Sequence, residues 1–66
     1  MSVNSTHALE LLTLAETAGL LKIAVPTLRR LQQQHKIPSV KVGGSVRFLK
    51  SDIVSYIAKM RVGVIE

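Results

Sequence analysis

The chain has no cysteine among its 66 residues, which excludes disulfides and thiolate zinc sites as braces for a small fold. Its two histidines, His7 and His35, are far apart in sequence, with no carboxylate or cysteine at ligand spacing, so neither a metal nor a cofactor is expected. It also lacks a carboxylate pair at workable spacing, a thiol nucleophile and a Ser-His-Asp set that so small a domain could orient, and an enzyme is not expected. No segment approaches the ~20 apolar residues of a membrane span; the longest nearly uncharged stretch, Ala8 to Leu21, is broken by Glu10, Glu16 and several threonines. Met1 to His7 has neither the basic start nor the apolar core of a signal peptide. A soluble, cytoplasmic protein with no membrane partner is the expectation. There is no internal repeat and no low-complexity segment.

Acid is missing where base is plentiful. From Lys22 to Lys50 the chain carries Lys22, Arg29, Arg30, Lys36, Lys41, Arg47 and Lys50 and not one Asp or Glu; its four acids, Glu10, Glu16, Asp52 and Glu66, all lie outside that window. The formal net charge is +5. One-signed clustering of this kind attracts a polyanion and raises its encounter rate, so double-stranded DNA is the first partner to consider. A chain this short buries only ~60% of its unfolded surface, which makes one marginally stable domain.

Residues 1–10 are mostly small and polar and read as an N-terminal arm, residues 11–60 as the domain and residues 61–66 as a tail. Leu9, Leu11 and Leu12 begin the core. Thr13-Leu14-Ala15-Glu16 is a capping-box sequence, predicting a helix from about Leu14 to Lys22 that buries Leu14, Ala18 and Leu21. Gly19 inside it signals either close approach of a neighbouring helix or simple tolerance. Lys22-Ile23-Ala24 is long enough only for a tight turn. A second helix starts near Val25-Pro26, because proline fits the first turn, and continues to His35. Ala24, Leu28, Leu31 and His35 fall on its core side, and Pro26, Arg29, Arg30 and Gln33 on the other. Pro38 ends it.

Val40/Val42 and Val46/Phe48 alternate with Lys41 and Arg47 about Gly43-Gly44, which predicts a β-hairpin with one apolar and one basic face. A last helix begins at Lys50-Ser51-Asp52, capped at Ser51 or its neighbour and favoured by Asp52 in its first turn. Ile53, Tyr56, Ile57 and Met60 close the core. The predicted fold is mainly α with a small β-hairpin: a winged helix-turn-helix. In that motif the second helix enters the major groove, where Arg reads guanine and Gln reads adenine. Arg29, Arg30 and Gln33 suit base reading, with Pro26 and Thr27 at the helix start and Thr27 on phosphate. Lys41, Gly43, Gly44, Ser45 and Arg47 form the wing, lying on the backbone or minor groove.

The segments Leu12–Leu21, Pro26–Leu31, Ile37–Gly44 and Phe48–Ile53 together resemble the excisionase family, the MerR-like winged helix-turn-helix of phage excisionases and small bacterial regulators. The resemblance covers about residues 11–58. It implies a non-enzymatic architectural role as a recombination directionality factor: binding direct repeats beside a phage attachment site, cooperative head-to-tail self-association on DNA, DNA bending, and assistance to a tyrosine integrase in excision. The same domain also serves small transcriptional regulators, which is the alternative. The chain departs from the family pattern at Lys22 and Ala24, where Gly and Ser are usual, and at Ser45, where many relatives carry Arg. A third possibility is a protein-interaction module that docks through Val62 to Ile65.

Overall fold

The computed structural model describes residues 10–63; residues 1–9, with Leu9 and nearly all of the expected arm, and residues 64–66 of the tail lie outside the described residues. The described elements are β1 (Leu11–Leu12), α1 (Leu14–Leu21), α2 (Val25–Gln33), β2 (Val40–Val42), β3 (Ser45–Leu49) and α3 (Lys50–Lys59). Three helices and a small open antiparallel sheet make the winged helix-turn-helix that the sequence predicts. The sheet has three strands, ordered β1-β3-β2, because Leu11–Leu12 joins the hairpin through Leu11↔Leu49 and Leu12↔Phe48. Leu12 is buried, but Leu11 lies on the sheet's outer side and is 45% exposed, so it does not begin the core.

Helix α1 starts where its capping box dictates. The Glu16 amide donates to Thr13 Oγ1 at 3.1 Å, and the Thr13 amide donates to Glu16 Oε1 at 2.8 Å. Thr17 is fully buried one turn later, with its hydroxyl donating to the Thr13 carbonyl at 2.8 Å, so no polar atom there is left unpaired. The helix ends at Lys22, which adopts a left-handed conformation (φ 59°, ψ 40°). Helix α2 has Ala24 at its N-cap, with no side-chain hydrogen bond to the first turn.

Helix α2 stops at Gln33 rather than running to His35. The His35 amide donates to the Gln32 carbonyl and the Lys36 amide to the Leu31 carbonyl, with His35 left-handed at φ 58°. This is the Schellman closure of a helix end. It turns His35 out to solvent, and Ala24 is exposed at the other end; neither is on the core side where an unbroken helix would place it. Leu28 is buried as expected. The chain then returns inward at Ile37, also buried.

Gly43 and Gly44 form the two-residue hairpin turn, with φ of 56° and 89°, the pair of positive values that a type I′ turn needs. That turn fixes the register Val42↔Ser45, Lys41↔Val46 and Val40↔Arg47. Even-numbered residues of β2 therefore lie beside odd-numbered residues of β3. Directly paired residues point to the same side of a sheet and alternate along each strand. Lys41 thus shares the core side with Val46 and Phe48, while Arg47 shares the outer side with Val40 and Val42. The expected division into one apolar and one basic face is incorrect: each face carries one cation.

Strand β3 passes directly into α3 without a loop, which puts Leu49 at the N-cap (φ −78°, ψ 130°) with no side-chain cap bond. Ser51 lies inside the first turn and does not cap; Asp52 is in that turn as expected. The core comprises Leu12, Ala18, Leu28, Ile37, Phe48 and Ile53, flanked by half-buried Leu14, Leu21, Ile23, Leu31, Val46 and Tyr56. Ile57 and Met60 are 42% and 55% exposed. They continue the Ile53–Tyr56 stripe but stay exposed beside Leu20, Leu21 and Ile23, so they do not close the core.

Two substitutions test the local energetics. A Cβ added at Gly19 meets nothing within 4 Å, so this glycine is tolerated rather than needed for packing. Gly19→Ala should stabilise the domain by about 1 kcal/mol, read as a rise in Tm of ~4–8 °C; an unchanged or lower Tm would contradict it. Ala24→Ser should supply the missing cap of α2 and add about 1 kcal/mol, measured as a higher urea midpoint at constant m-value.

Candidate nucleic-acid interface

Helix α2 carries the densest basic face of the described chain. Pro26, Arg29, Arg30 and Gln33 are all exposed, while Leu28, on the opposite side, anchors the helix with no exposure. At 3.6 residues per turn, those four positions fall within one third of the circumference. Neither arginine forms an ion pair among the described residues. Thr27 and Leu31 are half-buried on the flank and line an apolar groove, so Thr27 is turned away from the arginine face. Gln32 is half-buried and Gln34 exposed.

The three acids among the described residues lie elsewhere. The Glu16 carboxylate closes the capping box of α1. Asp52 sits in the first turn of α3, where the helix dipole favours it. Glu10 pairs with Lys50 at 3.8 Å, and its carbonyl accepts from the Lys50 amide at 2.9 Å. That ion pair is half exposed and therefore contributes little to stability, but it removes Lys50 from the free cations of the basic window.

In the wing, Lys41 and the tip residues Gly43, Gly44 and Ser45 are exposed. Arg47 is half-buried, and its guanidinium donates from Nη1 to the Val46 carbonyl at 2.8 Å. The guanidinium is thereby held back along the outer side of the hairpin. The sequence-predicted residues thus form two groups, the α2 face and the hairpin tip, with Lys41 and Arg47 diverging from the hairpin's two sides.

A cleft of about 620 Å³ with mixed polar and apolar walls lies between the α2–β2 connection and α3, lined by Lys36, Ile37, Pro38, Asp52, Tyr56 and Lys59 among others. Its two lysines are partly offset by Asp52. No group of three or more His, Cys, Asp or Glu among the described residues could hold a metal ion. No described helix is long and apolar enough to cross a membrane. Sequence reasoning missed the apolar groove beside α2, because its wall residues Leu20, Ile57 and Met60 have core chemistry and only the short body leaves them uncovered.

A helix pair joined by a three-residue turn, an exposed arginine face on the second helix and a glycine-tipped hairpin define a DNA-binding protein of the winged helix-turn-helix class. Residues 11–61 match the family model described as a helix-turn-helix domain, and the chain belongs to that family. Proteins of this family are typically non-catalytic. No curated protein and no solved structure matches the chain.

The hairpin register has a measurable consequence. If Lys41 and Arg47 leave opposite sides of the wing for different phosphates, each Ala substitution should lower affinity almost equally on all DNA sequences. Each should also reduce the slope of log K against log salt by about 1, and the double substitution should be additive. Salt-dependent titrations of the three variants check this; a changed base preference at one position would instead make that residue a base reader.

Proposed function

We propose that the protein is an architectural DNA-binding factor of the excisionase type. It binds direct repeats beside a phage attachment site, bends the DNA, and directs a tyrosine integrase toward excision in the bacterial cytoplasm. The observation that carries the DNA half of this reading is the exposed Pro26-Arg29-Arg30-Gln33 face of α2, free of ion pairs among the described residues. Arg29 and Arg30 have the forked donors that match guanine O6 and N7, and Gln33 has the amide that matches adenine N6 and N7. Pro26 and Thr27 contribute at the helix start, Thr27 by phosphate contact from the helix flank. Lys41, Gly43, Gly44, Ser45 and Arg47 grip the backbone on either side of the wing.

The architectural half follows from size. A single domain with so few free cations neutralises few phosphates, so one copy binds weakly and salt-sensitively. Smooth bending of a 20–30 bp site costs on the order of 1–6 kcal/mol. Several copies side by side meet that cost better than one.

Arg29→Ala and Arg30→Ala should leave the far-ultraviolet circular dichroism and Tm nearly unchanged and weaken specific binding by ~1–3 kcal/mol each. Unchanged affinity at moderate salt would remove α2 from the recognition role. A footprint on DNA flanking the attachment site tests the biological role: direct repeats support the excisionase reading, and inverted half-sites would replace it with a dimeric transcriptional repressor.

A further inference from the structure

The apolar stripe of α3 does not end where the core ends. Ile53 is buried and Tyr56 half-buried, yet Ile57 and Met60 emerge beside Leu20, Leu21 and Ile23 of α1 and the following turn. Together with Thr27 and Leu31 of α2 they enclose a groove of about 350 Å³ whose walls are almost wholly apolar. Leu20, Ile57 and Met60 are each between 42% and 55% exposed. The groove sits on the flank of α2, away from Arg29, Arg30 and Gln33, and shares only Thr27 with the proposed DNA surface.

The chain itself carries a segment of matching chemistry. After Met60 come Arg61-Val62-Gly63-Val64-Ile65-Glu66, three branched aliphatic side chains with no acid until Glu66. Val62 is 93% exposed, and Arg61 to Gly63 are exposed throughout, so these three residues do not cover the groove. Exposed Lys22 lies in the chain between two lining residues, Leu21 and Ile23, and Glu66 directly follows Ile65 in the sequence, so a cation adjoins the groove and an anion adjoins the apolar segment.

We propose that the groove receives the Val62–Glu66 segment of a second copy, with Val64 and Ile65 against Leu20, Ile57 and Met60 and Glu66 toward Lys22. Groove and segment are different surfaces of one chain, so the contact is heterologous and propagates as an open row wherever it does not close into a ring, and an open row is the arrangement that direct repeats require. This deepens the proposed self-association on DNA by naming its surfaces. A five-residue segment covers far less than the ~1,600 Å² of a standard stable interface. Association is therefore weak in free solution and effective when adjacent sites raise the local concentration.

The test omits DNA, so its outcome is separate from that of the Arg29 and Arg30 substitutions. Leu20→Glu blocks the groove at an exposed position, with Met60→Glu as a second groove variant should the first fail to fold; Ile65→Asp blocks the segment. Sedimentation velocity to millimolar concentration should show wild type forming a ladder of species and each variant alone remaining monomeric. A 1:1 mixture of groove and segment variants should form dimers and nothing larger, because one intact groove and one intact segment remain. Tyr56, the chain's only tyrosine in the absence of tryptophan, lines the groove, and its emission should change with the same concentration dependence. Monomeric wild type, a mixture that stays monomeric, or a variant that still forms the ladder would overturn the proposal. A concentration-independent change in Tyr56 emission on Ile65→Asp would instead show the segment docking within its own chain.

Discussion

Everything in the domain is organised around the burial of Phe48. It is fully buried on β3, the central strand, with Leu12 beside it on β1 and α1 and α3 packed against β3. The same strand forms one arm of the wing and runs without a break into α3. One aromatic ring therefore holds the wing, the closing helix and the body in fixed relation. Truncating a buried Phe to Ala commonly costs about 3–5 kcal/mol. With six buried apolar residues among those described, little else could hold the wing in place.

Local chemistry was the legible part of the sequence. Thr13 and Glu16 specify the start of α1 through bonds between residues three apart, and Gly43-Gly44 specifies a turn that few other dipeptides allow. The α2 face was readable because Leu28 and the arginines obey one short-range period. The hairpin faces are not legible from apolar alternation along each strand taken separately. A two-residue turn pairs even with odd positions, so the valines of β2 and the apolar residues of β3 fall on opposite sides. Gly43-Gly44 is sufficient to fix that register, because the turn dictates the pairing Val42↔Ser45 and every pair beyond it.

The other differences arise from where elements stop, which depends on tertiary context. His35 would lie on the core side only of a helix continuing past Gln33, but the Schellman closure turns it outward. Ser51 could cap α3 only if a loop preceded it, and β3 leaves none. Ile57 and Met60 follow the apolar period faithfully, and their side of α3 is the side that Ile53 buries. What the period could not supply was the length of the body against which α3 packs. A stripe longer than its core leaves an uncovered apolar surface, and such a surface marks an interaction site when it is contiguous.

The turn between α1 and α2 is where this chain gives up local stability. Lys22 occupies a left-handed conformation that disfavours a residue with a Cβ by roughly 1–2 kcal/mol, and Ala24 leaves α2 without a side-chain cap, a loss of about 1 kcal/mol. Glycine and serine would remove both costs with no change of fold. For a domain whose whole stability is of order 5 kcal/mol, these are large sums to leave uncollected. At Lys22 a glycine would also remove a cation that the chain places between two groove residues, Leu21 and Ile23. Strain of this kind persists only where the surrounding structure over-determines it, and here the Ile23 amide bonded to the Ala18 carbonyl and the Lys22 amide bonded to the Gly19 carbonyl fix the turn.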